Sequence, residues 1–116
     1  MTALTLTTST DLWTDVCAYD DLVPERGVCA LVGGEQIAIF RTLEGDLYAL
    51  SNLDPFSDAY VLSRGILGCR GGVATVASPM YKNVFALETG LSLDDPERSV
   101  RAYPVRLADG RVEVST

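Results

Sequence analysis

The sequence predicts an all-β domain, an antiparallel sandwich or small barrel. No stretch of ten or more residues carries a helical apolar stripe. Short apolar or alternating segments recur instead, each bounded by Gly, Pro, Asn or Asp. Two of the boundaries, Gly33-Gly34 and Asp109-Gly110, are dipeptides favoured in tight hairpin turns, whose central residues need positive φ.

Taken in order, residues 1–11 are rich in Thr and Ser, with neither a basic region nor a long apolar core. They read as a flexible tail and not as a signal peptide. Residues 12–116 read as one domain, long enough to enclose a core. Leu12–Ala18 alternates as a strand does, and Tyr19–Gly27 is a charged turn or short helical bend. Its Asp20-Asp21 pair reads as turn and capping chemistry, since no further acidic ligands alternate beside it. Val28–Val32 and Glu35–Arg41 form a hairpin around Gly33-Gly34, and Leu47–Leu50 follows as a strand. Ala59–Leu62 and Ile66–Gly68 are apolar segments broken at Arg64-Gly65. Val73–Ala77 and Val84–Leu87 are strands, and Leu93–Arg98 is polar connecting chain whose carboxylates cap a turn. Val100–Leu107 is expected as one strand, at an edge or bulged, because Pro104 has no N–H for a ladder. Arg111–Val114 closes the last hairpin with a two-residue period.

Composition excludes several functions. The net charge is −7, with sixteen acidic against nine basic residues, a poor match for nucleic-acid phosphates. Arg64, Arg70 and Lys82 make the charge uneven near the two loops described below. No apolar run approaches the roughly 18 residues of a membrane span, so neither membrane nor nucleic acid is an expected partner and the expected location is the cytoplasm. The chain has no histidine, which removes histidine bases, catalytic triads and most zinc sites. Cys17, Cys29 and Cys69 lack C-x-x-C spacing and argue against a disulfide framework. Cys17 and Cys29 read as small core residues. Cys69, in a glycine-rich turn beside Arg70, is expected to be exposed and inert.

Two loops stand out: Ser51-Asn52-Leu53-Asp54-Pro55-Phe56-Ser57 and Ala77-Ser78-Pro79-Met80-Tyr81-Lys82-Asn83. Each sets a proline after a polar residue, with an aromatic one or two positions beyond, and each lies between β-rich stretches. They are expected to project as two fingers from one sheet framework. With Tyr48-x-Leu50-x-Asn52 before the first loop, Phe85-x-Leu87-x-Thr89-Gly90 after the second and Tyr103-Pro104-Val105 near the end, this order resembles the Rieske iron–sulfur domain over about residues 12–115.

In that family the loops read Cys-Pro-His and Cys-Pro-x-His, and two thiolates and two imidazoles hold a [2Fe–2S] cluster. The resemblance puts Asp54, Phe56, Ser78 and Tyr81 at the four ligand places, a hard and incomplete donor set. It implies a scaffold that binds no metal or cofactor. Phe56 and Tyr81 are expected to fill the vacated space, and Asp54 and Ser78 to bond to loop backbone.

Asp54-Pro55-Phe56-Ser57, Leu62-Ser63-Arg64-Gly65-Ile66 and Ser78-Pro79-x-x-Lys82 are similar to the small subunits of NAD(P)H-dependent assimilatory nitrite reductases. That resemblance implies a non-catalytic subunit binding a large partner that carries FAD, an iron–sulfur cluster and sirohaem and reduces nitrite to ammonium. Pro55, Met80, Lys82 and Arg64 are the candidate partner contacts, and no catalytic residue is expected. The alternatives are a Rieske-type electron-transfer ferredoxin, which needs the missing ligands, and a binding module keeping only the scaffold.

Overall fold

The computed structural model describes residues 13–116; the expected tail, residues 1–11, and Leu12 lie outside the described residues. The described chain folds into twelve strands: β1 Trp13–Ala18, β2 Arg26–Val32, β3 Glu35–Arg41, β4 Leu47–Ser51, β5 Leu53–Asp54, β6 Ala59–Tyr60, β7 Ile66–Arg70, β8 Val73–Ala77, β9 Val84–Ala86, β10 Ala102–Tyr103, β11 Val105–Ala108 and β12 Arg111–Ser115. Single 3₁₀ turns occupy Tyr19–Asp21, Leu62–Arg64 and Pro96–Arg98. Every strand pair is antiparallel.

The strands form a four-stranded sheet in the order β2-β3-β4-β10, three-stranded sheets β1-β12-β11 and β7-β8-β9, and the small hairpin β5-β6. The sheets stay open and do not close into a barrel. The hairpin expected at Gly33-Gly34 forms with φ of 58° and 83°, and Asp109-Gly110 turns with 51° and 76°.

The four-stranded sheet carries a core on each face. In β3 the run Ile37-Ala38-Ile39-Phe40 is wholly buried, at 0% exposure throughout. Successive side chains of a strand point to opposite faces. Ile37 and Ile39 therefore pack in one cluster with Leu22, Ala49, Tyr103, Val112 and Val114. Ala38 and Phe40 pack in the other with Leu50, Leu62, Val76, Phe85 and Leu87. One cluster joins β3 to the β1-β12-β11 sheet and the other joins it to β7-β8-β9.

Three expectations are corrected. Val100–Leu107 is not one strand: the chain breaks at Pro104 into β10 and β11, which lie at the edges of different sheets. The edge placement of the proline holds, and the Pro104 carbonyl still accepts from the Ser115 N–H at 3.0 Å. Cys29 is exposed, not a core residue, because β2 is an edge strand with that face open. Cys17 is half-buried against the first cluster, while Cys69 is exposed as expected. Arg70 pairs with Val73 at the turn end of the β7–β8 hairpin, whereas the second loop leaves the other end at Ala77. Arg70 therefore sits away from the loops.

Gly90 holds φ at +78°, donates its N–H to the Ala86 carbonyl at 2.8 Å, and leaves room for the Val100 carbonyl, which a Cβ would meet at 2.1 Å. Gly90→Ala is expected to cost at least about 2 kcal/mol, from left-handed backbone strain plus this clash, read as a lower urea midpoint at unchanged slope.

Tyr103 donates its hydroxyl to the Glu35 carboxylate, and burial, then Glu35, push its phenol above the ordinary value. The folded state thus favours the protonated phenol; this contribution is intact below the unfolded value of about 10 and is lost as pH rises through the folded one. Stability measured above about pH 10 should fall less steeply in Tyr103→Phe than in the parent chain.

Candidate functional site

The two proline loops are the same turn built twice. In the first, the Asp54 carbonyl accepts from the Asp58 N–H at 2.7 Å, and Asp54 Oδ1 accepts from the Phe56 N–H at 2.9 Å. In the second, the Ser78 carbonyl accepts from the Lys82 N–H at 3.0 Å, and Ser78 Oγ accepts from the Met80 N–H at 3.3 Å. Asp58 and Lys82 close the turns with φ of 64° and 63°. In both, the residue before the proline caps the amide two positions on, the local bond that Asp and Ser side chains favour. The expected backbone bonding of Asp54 and Ser78 is therefore present.

The two residues also meet. Ser78 Oγ donates to Asp54 Oδ2 at 2.6 Å, across 24 residues of sequence. Ser57 Oγ donates to the same Oδ2 at 3.0 Å, so the carboxylate accepts three hydrogen bonds. Asp54 and Ser78 are 0% and 1% exposed. Burying the carboxylate without these donors would be costly; with them every neighbour supplies a proton. The loops do not rise from one sheet, as expected, but from two: the first follows β4, the second joins β8 to β9.

The remaining candidates divide by exposure. Phe56 is half-buried, with its ring 6.0 Å from that of Phe85, so it packs inward against the second cluster. Tyr81 does not: it is 65% exposed, because the repeated turn aims position 81 outward while position 78 takes the interior. Met80 is 49% exposed, Pro79, Lys82 and Arg64 are exposed, and Pro55 is half-buried.

Sequence reading gave no structural role to two supports, Arg98 and Asn52. Arg98, read as connecting chain, donates Nη1 to the Pro55 carbonyl at 3.3 Å and lies 5.5 Å from the Phe56 ring centroid. Asn52, at the root of the first loop, is 2% exposed. Its Oδ1 accepts from the Ser63 N–H at 2.7 Å, and its Nδ2 donates to Gln36 Oε1 at 3.2 Å and to Cys29 Sγ at 3.4 Å. An asparagine directly after an apolar strand and before Asp-Pro was the available signal.

The model of the Rieske-like [2Fe-2S] domain matches residues 12–115. The chain belongs to the Rieske-like [2Fe-2S] domain family. It is 48% identical over 103 residues to the nitrite reductase (NADH) small subunit of Escherichia coli K12, covering 88% of this chain and 95% of that protein. A Mycobacterium tuberculosis crystal structure named as an NADH-dependent nitrite reductase small subunit superposes with a TM-score of 0.87 at 52% identity, covering 90% of this chain and 94% of that one. A further match, 46% identical over 103 residues, is to the nitrite reductase [NAD(P)H] large subunit of Klebsiella oxytoca; it covers 88% of this chain and 11% of that protein.

The Rieske-like family implies an iron–sulfur cluster, and the residues of these loops do not fit one. Neither loop contains cysteine or histidine. Phe56 offers no donor atom, and the Asp54 oxygens are buried and committed to three protein donors. Iron in such clusters is held by thiolate and imidazole, which carboxylate and hydroxyl oxygens match poorly. Among the described residues no group of three or more Cys, Asp or Glu side chains is placed to hold a metal ion.

Asn52→Ala removes three side-chain bonds and leaves the half-buried Ser63 amide without its partner. It is expected to cost about 2–3 kcal/mol in equilibrium denaturation.

Proposed function

We propose that the chain is the non-catalytic small subunit of an NAD(P)H-dependent nitrite reductase, binding the large subunit through the loop surface and holding no cluster of its own. The large subunit would carry the FAD, iron–sulfur cluster and sirohaem that reduce nitrite to ammonium, and the assembly would work in the cytoplasm. The observation that carries this reading is the likeness to a segment of the Klebsiella oxytoca large subunit. There a stretch similar to this domain shares one polypeptide with the rest of that subunit; a small subunit that is a chain of its own would meet the same neighbour by binding.

The surface supports it. Pro79, Met80, Tyr81 and Lys82 stand exposed in a row, held by a turn whose polar groups are satisfied internally. Aromatic and methionine side chains on such an internally bonded loop suit an interface core, which favours them over acidic residues. Among the described residues no helix is long and apolar enough to cross a membrane.

Changing Met80→Asp and Tyr81→Asp together should raise the Kd for the large subunit by about tenfold or more, with the melting midpoint nearly unchanged because both side chains are exposed. An unchanged Kd, measured by titration calorimetry on the folded variant, would refute docking through this loop. Incubation with ferrous iron and sulfide under reducing conditions should leave the purified chain colourless; a visible charge-transfer band tracking bound iron would contradict the cluster-free reading.

A further inference from the structure

The two loops belong to different sheets, yet their turns meet in a single arrangement without the donors that could hold iron between them. We infer that the Ser78–Asp54 hydrogen bond is itself the tie: these two positioning residues couple the turns and thereby set the shape of the Pro55, Met80, Tyr81 and Lys82 surface. The inference deepens the proposed docking role by naming what presents that surface.

The geometry makes the coupling reciprocal. Ser78 Oγ has one proton, which it gives to Asp54, and it accepts the Met80 N–H that builds its own turn. Asp54 spends Oδ1 on the Phe56 amide that builds the first turn, and Oδ2 on Ser57 and Ser78. Each turn's internal cap is thus one end of the bond between them, so loosening one releases the other. A hydroxyl-to-carboxylate bond of 2.6 Å lies in the charge-assisted range, and burial of both partners removes competing water. Among the described residues it is the hydrogen bond that joins the two turns directly. Phe56 against Phe85 adds a contact without fixed direction, which packs the first loop but cannot set its register on the second.

The test is made on the free 116-residue chain, without any partner. In Ser78→Ala, amide hydrogen exchange at Phe56 and Asp58, in the opposite loop, should accelerate by about tenfold or more, as loss of a charge-assisted bond implies. Amides of β3 should keep their protection, which shows that the fold persists. Proton NMR of the parent chain should show a slowly exchanging Ser78 hydroxyl signal, absent from Ser78→Ala and from Asp54→Asn. Parent-like exchange at Phe56 and Asp58 in the folded Ser78→Ala variant overturns the inference. So does a parent spectrum without that hydroxyl signal. Should Asp54→Asn fail to fold, the Ser78→Ala exchange data decide alone. Coupled exchange together with docking that ignores Met80 and Tyr81 would sink the docking role and leave the tie standing, so the two ideas fail separately.

Discussion

Strand β3 has no face to give to water. Four consecutive apolar residues, Ile37 to Phe40, are buried alternately on both sides, which obliges a layer of structure to cover each face. One cover comes from the terminal strands and the other from β7-β8-β9. Everything about the loops follows from this stacking. Because the second loop belongs to an outer layer and the first grows from the middle one, no ladder of backbone bonds pairs the two turns with each other. The direct contact between them is made by side chains.

Those side chains lie at the places where the Rieske resemblance puts two of the metal ligands. Asp and Ser before a proline each close a turn on their own backbone, so two sequence-local motifs suffice to shape both loops. The same oxygens then have capacity left for one another. A cluster bridge needs soft donors and imported iron; an oxygen pair needs only burial and the right distance.

Much of this was legible in the sequence. The glycine and Asp-Gly turns placed two hairpins, and alternation marked β1 and β12 as strands, because hairpin chemistry and period-two burial are local properties. The pairing of β1 with β12 is a tertiary fact that the pattern does not carry. The proline loops were legible as a pair for the same reason. What escaped depends on tertiary layering. Cys29 alternates with apolar neighbours just as a core residue would, yet β2 lies at a sheet edge, which no local pattern reveals. Tyr81 looked like a space-filler by its size, but the turn's closure at Lys82 decides where it points. Arg98 came to the first loop from 43 residues away, through a connection whose sequence signals only a capped turn.

Pro104 separates β10 from β11, and on its two sides the chain hydrogen-bonds to different layers, through β4 and through β12. A single residue therefore splices the middle sheet to its outer neighbour by covalent bonds. Fraying of one layer pulls directly on the backbone of the next. The built-in seam favours a domain that melts all at once, with cooperativity coming from the path of the chain as much as from its packing.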